Sequence, residues 1–182
     1  MNPIEHLLQE HCDIMAQVAD LRRVVAALEA RGEAALPEAL PVLGRIGRMM
    51  ETQLAQHARK EDEALFPALE ACIGADAGRG PTAVMRLEHR EIHSQGELLR
   101  QTLSELNEVE HPRIEAAGAK LRELTATGSE AKALRANAEE IIRLLDAHFD
   151  KEEQILFPLA ENLLDAQALT EVGRRMAAMP SP

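Results

Sequence analysis

His57-Ala58-Arg59-Lys60-Glu61-Asp62-Glu63-Ala64-Leu65-Phe66-Pro67 and His148-Phe149-Asp150-Lys151-Glu152-Glu153-Gln154-Ile155-Leu156-Phe157-Pro158 carry one pattern, His-x-x-x-Glu-x-x-x-x-Phe-Pro, twice in the same chain. Each copy is preceded by a shorter repeated element, Glu10-His11-Cys12-Asp13-Ile14 before the first and Glu88-His89-Arg90-Glu91-Ile92 before the second. A histidine and a glutamate four residues apart share one face of a helix. Counting His93, five of the seven histidines fall in these segments at helix-compatible positions. This is the spacing of a metal site. Its mixture of nitrogen and oxygen donors suits iron, manganese or zinc, whereas calcium and magnesium prefer oxygen alone.

Apolar residues at threes and fours extend outward from these segments. Ile4, Leu7, Leu8, His11, Ile14, Met15, Val18, Leu21, Val25 and Leu28 predict a first helix from about Pro3 to Ala30, capped by Asn2 and ended by Gly32. Residues up to Pro41 read as a connection with room for a short helical turn. Leu43, Ile46, Met50, Leu54, His57, Glu61 and Leu65 mark a second helix that Pro67 kinks or closes. Gly74 to Pro81 reads as a loop. Thr82 opens a third helix on Met85, His89, Ile92, His93, Gly96, Leu99 and Leu103. His111-Pro112 and Gly128-Ser129 bracket a helical piece that either continues the third helix after a break or stands alone. A fourth helix starts near Ser129 and carries Leu134, Ile141, Leu145, His148, Glu152 and Leu156 up to Pro158. Asp165 to Met179 can form a short amphipathic terminal helix. The expected fold is therefore all-α: an antiparallel up-down-up-down four-helix bundle with a short additional C-terminal helix. One domain is expected over 1–182, its core at 3–160 and a C-terminal appendage at 161–182.

Composition agrees. The apolar fraction of 46% comes from Ala, Leu, Ile, Val and Met, with three Phe and no Trp or Tyr, a mixture that favours helix. A formal charge of −11 offers no electrostatic footprint for nucleic acid or an anionic membrane surface. The amino terminus lacks a basic region followed by a hydrophobic stretch, so a soluble, cytoplasmic protein is expected. Cys12 and Cys72 are too few for a disulfide framework and read as free thiols. Cys12 lies about 100° around the helix from His11 and should not share its metal.

Histidines on buried stripes cost free energy unless partnered, and a bound cation partners them. Glu61 and Glu152, each one turn beyond a histidine, are natural bridges between two ions. The halves differ, because His89 is followed one turn later by His93, whereas Met15 stands at the matching place after His11. One metal is then expected to draw His89, His93 and His148, and the other His11 and His57 alone. The vacancy belongs to the second metal, in a pocket lined by Met15, Ile14 and Phe66 or Phe157, sized for a diatomic or peroxide. A lone histidine is more often a satisfied core or surface residue, and His6 and His111 keep that reading. Glu10 and Glu88 point away from the donors' face and are expected in solvent or hydrogen-bonded to a ligand. Asp62, Glu63 and Glu153 are read as solvent-facing.

The ordered set His11, His57-x-x-x-Glu61, His89-x-x-x-His93 and His148-x-x-x-Glu152, with its Leu-Phe-Pro endings, resembles the hemerythrin-like, or HHE cation-binding, family. The resemblance spans His11 to Pro158. It implies two iron ions, a non-haem di-iron pair bridged by Glu61, Glu152 and an oxo or hydroxo group, with dioxygen at the iron held by His11 and His57; zinc or manganese fit the same donors. In its second carboxylate, Glu152 at i+4, the chain looks like the HHE branch; invertebrate oxygen carriers place an aspartate one residue further on. Some members repair iron-sulfur clusters or handle nitric oxide and typically carry a cysteine-bearing amino-terminal extension; here ten residues precede His11. The function expected is binding of dioxygen, nitric oxide or peroxide for sensing, storage or detoxification. The alternatives are a non-catalytic metal-binding module acting through a protein partner, and a di-iron peroxidase or oxidase. Neither a redox partner nor a protein partner is named by the sequence.

Overall fold

Asn2 caps the first helix, its Oδ1 accepting from the Ile4 N–H at 3.0 Å, and Pro3 supplies a first-turn residue whose missing N–H costs nothing. The computed structural model describes residues 2–74, 79–116 and 129–180, with backbone alone for 107–116 and 129. All regular structure among them is helical. α1 is Pro3–Arg31, ended by Gly32 at φ 53, a left-handed value that side-chain-bearing residues rarely adopt. A short 3₁₀ turn, Gly32–Ala35, leads into α2 over residues 36–73. α3 is Pro81–Ala116, α4 covers residues 129–163, and α5 is Ala166–Ala177, capped by Asp165.

Three boundaries differ from those the periodicity predicts. The second helix begins at Leu36 rather than beyond Pro41: Pro37 takes a first-turn position and Pro41 is carried inside the helix. The third runs through His111-Pro112 to Ala116, so that pair is not a break. Residues 117–128, the rest of the bracketed helical piece, lie outside the described residues, as do residues 75–78 of the expected loop. Pro67 and Pro158 do not end their helices. A regular α-helix would press each proline ring against the carbonyl four residues back. Instead α2 and α4 widen into π turns at Glu61–Leu65 and Glu152–Leu156, where the Phe66 and Phe157 N–H groups reach back to the Glu61 and Glu152 carbonyls. These two π turns each begin on a glutamate of the repeated pattern; another, Met50–Leu54, lies earlier in α2.

The inward residues of α1 include Ile4, Leu7, His11, Ile14, Val18, Leu21, Val24 and Leu28, close to a seven-residue repeat, with Val24 rather than the expected Val25 turned inward. α1 packs against α2 and α4, and α3 also packs against α2 and α4. Their side chains form two apolar layers. The larger holds Ile14, Leu21, Leu54, Ile92, Leu145 and Phe149; the smaller holds Leu7, Leu65, Met85, Leu156 and Phe157, joined by Val172 and Met176 of α5. Fully burying each large aliphatic side chain contributes roughly 1.5–3 kcal/mol. Along every long helix the candidate donors fall where one layer gives way to the other: His11 between Leu7 and Ile14, His57 and Glu61 between Leu54 and Leu65, His89 between Met85 and Ile92, His148 and Glu152 between Leu145 and Leu156. A charged layer is thus sealed between two apolar ones.

Candidate metal centre

His11, His57, His148, Glu61 and Glu152 are essentially inaccessible to solvent, and His89 is 9% exposed. Four helices bring them together in two overlapping groups, Glu61, His89, His148 and Glu152 in one and His11, His57 and Glu152 in the other. Glu152 belongs to both. Its Oε2 lies 3.1 Å from His11 Nε2 and 3.8 Å from His57 Nε2, and its Oε1 lies 3.0 Å from His148 Nε2 and 3.8 Å from His89 Nε2. Glu61 Oε2 lies 3.3 Å from His89 Nε2 and 3.6 Å from His57 Nε2. The Nε2 atoms of His11 and His57 face each other at 3.1 Å.

The opposite nitrogen of every one of these rings is also engaged. His57 Nδ1 contacts Glu10 at 3.1 Å, His89 Nδ1 contacts Asp62 at 3.2 Å, His148 Nδ1 contacts Glu88 at 3.0 Å, and His11 Nδ1 contacts Glu153 at 2.8 Å. An ionised carboxylate only accepts, so each Nδ1 carries the proton and donates it outward. These bonds close a belt: α2 onto α1, α3 onto α2, α4 onto α3, and α1 onto α4. Lys60 clamps Glu10 and Lys151 clamps Glu88 from outside. With Nδ1–H committed, each neutral ring turns an Nε2 lone pair inward, the arrangement by which carboxylates orient metal-binding imidazoles.

Acceptors therefore confront acceptors at the centre. Both oxygens of Glu61, both of Glu152, and the Nε2 atoms of His89 and His148 are buried with no hydrogen-bond partner. Buried polar atoms are rarely left so, and six around one point call for a positive charge. A proton is the minimal answer. Burial alone would push His57 and His89 down, but the carboxylates around them prevail: Glu61, Glu10 and Glu152 hold His57 at about 10, and Asp62, Glu152 and Glu61 hold His89 at about 11. Burial and the neighbouring Glu152 raise Glu61, whereas the four imidazoles hold Glu152 well below the usual carboxylate range against its burial. Glu10 stays at about 2 despite partial burial because His57 and Lys60 bond it. A metal cation satisfies the same atoms without these displaced protonations, and the donor chemistry fits iron, manganese or zinc.

The structure brings six of the seven sequence-chosen residues together and leaves His93 outside. His93 is exposed, because the inward line of α3 runs Met85, His89, Ile92, Gly96, Leu99 and so takes Ile92 after His89. The expected imbalance of three imidazoles against two is corrected to two and two. The expected pocket is corrected as well: Ile14 is packed in the larger core layer, and Phe157 and Phe66 stack on His11 and His89. The cavity instead opens between α2 and α3, beside His57, His89 and His148. Asp62, read as solvent-facing, is half-buried and accepts from His89, whereas Glu153 is exposed as expected and in addition accepts from His11; Glu63 also remains at the surface, paired with Arg59. The signal for the missed pair was the repeat itself, since Lys-Glu-acidic follows the histidine at 60–62 and again at 151–153.

The hemerythrin HHE cation-binding domain model matches residues 2–110 and 102–178. The chain belongs to the hemerythrin HHE cation-binding family. Proteins known as iron-sulfur cluster repair protein YtfE are among its relatives: that of Escherichia coli O81 (strain ED1a) is 34% identical over 112 residues, 62% of this chain and 44% of the relative. That of Escherichia fergusonii is 33% identical over the same coverage. The chain thus aligns with under half the length of these curated relatives. Cys12 and Cys72 are free and exposed, and no helix among the described residues is long and apolar enough to cross a membrane.

Proposed function

We propose that this hemerythrin-like protein binds two iron ions, one at His11 and His57 and one at His89 and His148, with Glu61 and Glu152 shared between them, and that it binds a small diatomic or peroxide there. The observation that carries this reading is the sealed layer of unpartnered glutamate oxygens and imidazole nitrogens, each imidazole oriented by an outer carboxylate. When bound, a pair of irons supplies electrons to dioxygen, nitric oxide or peroxide. The protein's part is to fix four Nε2 lone pairs inward, to offset part of the cations' charge with two buried carboxylates, and to keep water from the two ends of the cluster through the apolar layers above and below it. His93 has no place in this donor set. The order in which each helix crosses the two layers supports an antiparallel up-down-up-down four-helix bundle, in one domain spanning 1–182, with α5 sealing one end. Free thiols agree with the cytoplasm as its setting.

Metal analysis followed by anaerobic iron reconstitution and exposure to air tests this. Two irons per chain and a charge-transfer absorption that appears with oxygen are expected; a single ion or a spectroscopically silent protein would favour a metal-binding module acting through a partner. The role for which the YtfE relatives are named makes iron-sulfur cluster repair a second reading, tested by whether the iron-loaded protein restores a damaged cluster protein's absorption.

A further inference from the structure

Three of the four belt carboxylates are held from outside by a cation. Lys60 takes Glu10 and Lys151 takes Glu88, one in each copy of the repeat. Asp62 is held by Arg86, whose Nε lies 3.7 Å from its Oδ1, while Glu153 makes no ion pair with a lysine or arginine among the described residues. The difference lies in the sequence. Arg86 stands three residues before His89, and Leu8 stands three before His11.

Arg86 does more than pair with Asp62. Pro67 has no N–H, so the carbonyls four and five residues back, those of Glu63 and Asp62, lose a helical donor. Arg86 Nη2 donates to the Asp62 carbonyl at 3.4 Å, and Arg175 of α5 donates to that of Glu63. At Pro158 the matching carbonyls belong to Glu153 and Gln154, exposed residues whose carbonyls receive no side-chain donor among the described residues. The Arg86 guanidinium also lies over the Phe66 ring, 5.1 Å from its centre, and Phe66 is the ring stacked on His89 at 5.8 Å. Its Nη1 donates to Glu70, and Thr82, fully buried, donates to the same Glu70 oxygen at 2.7 Å. A planar fork of donors serves such divergent acceptors where a single ammonium could not. His11 has no such fork. Phe149 stacks on it instead, ring centres 3.9 Å apart and planes at 16°, beside Phe157 at 5.4 Å. One imidazole is fixed by packing and its counterpart by a charged fork.

We infer that Arg86 is the positioning residue of His89: it pins the Glu61–Leu65 π turn through the Asp62 carbonyl, holds the Asp62 carboxylate against His89 Nδ1, and caps the Phe66 ring, so that one guanidinium sets Glu61 and His89 for the cation they share. It acts through Asp62 and Phe66, and Glu70 with Thr82 fixes it in turn. The inference rests on the donor cluster holding cations.

The test starts on metal-free, full-length protein, where amide hydrogen exchange followed by NMR reads the two π turns through the Phe66 and Phe157 N–H groups. R86M should speed exchange at Phe66 by about tenfold or more, as the loss of a charged hydrogen bond implies, and leave Phe157 unchanged. R86K, which keeps the charge and loses the fork, should fall between parent and R86M, and E70Q should shift Phe66 in the same direction by less. Zinc is then titrated into protein carrying isotopically labelled histidine, with zinc content measured. R86M should weaken binding at His89 by roughly 10–100-fold while the His11 ring keeps the parent's response. Should R86M fail to fold by circular dichroism, R86K and E70Q decide by the same two readings. Unchanged exchange at Phe66, equal acceleration at Phe66 and Phe157, or an unchanged zinc response at His89 would overturn the assignment. A parent that holds a single zinc ion, with His89 selectively weakened in R86M, would instead defeat the two-metal reading and leave this one standing.

Discussion

Glu10 and Glu88 occupy matching places in the belt, yet replacing each by glutamine should have unequal consequences for folding. Both accept from an Nδ1–H, on His57 at 3.1 Å and on His148 at 3.0 Å, and both are clamped by a lysine. Glutamine keeps the shape and loses the charge. For metal affinity the two variants should behave alike, each losing roughly 10–100-fold, the usual effect of removing a carboxylate that orients a ligand imidazole. For stability they separate through the lysines. The Lys60 side chain is 10% exposed and that of Lys151 is 43% exposed. E10Q leaves a nearly buried ammonium with His6 Nε2, 2.9 Å away, and no paired carboxylate, a loss of about 3 kcal/mol at the low end for broken buried pairs, while E88Q releases a solvated lysine at about 1 kcal/mol or less. For a chain of this length each kcal/mol moves Tm by about 2–4 °C, so metal-free E10Q should melt roughly 6–12 °C lower and E88Q within about 4 °C of the parent. Differential scanning calorimetry of chelator-treated protein and competition titration with a zinc indicator measure the two effects. Equal melting shifts, or zinc affinities unchanged in both variants, would refute the belt as the element that orients the imidazoles.

E152Q should lose metal from both positions, because Glu152 faces all four belt imidazoles, whereas H93A should keep the parent's metal content; metal analysis after desalting reads both, and loss of metal in H93A would restore His93 as a ligand. The pH dependence comes from His57 at about 10 and His89 at about 11, both raised from 6.5. Their contribution to metal-free stability is complete below pH 6.5 and is lost as pH rises through about 10 and 11. Metal must displace those protons, so uptake at pH 7 should release about two per chain and apparent affinity should climb with pH over that window, read by a pH-stat; proton-free uptake would contradict it. F149A removes a buried ring and should cost metal-free protein about 3–5 kcal/mol in denaturant unfolding, and a cost under about 1 kcal/mol would mean the His11 side is not sealed by packing.

Residue type and spacing carried much of this protein in the linear chain. Apolar residues at threes and fours, Gly32 at a helix end, and two histidine-glutamate pairs at i+4 are local properties, since helical geometry alone decides which residues share a face. Six donors were legible for that reason. Tertiary structure decided what local periodicity leaves open. Positions 92 and 93 both fall near the face of His89, and packing against neighbouring helices selected Ile92 for the inside and left His93 at a rim. Asp62 and Glu153 have the look of solvated neighbours of buried glutamates until rings from other helices reach them. The prolines have the look of helix ends, but π turns carry the chain past them and set Glu61 and Glu152 in the core. The open side of the centre could not be read from donor count, because access depends on which helix places an aromatic ring over which imidazole. That is a relation between residues far apart in the chain, fixed only when four helices pack around one charged layer.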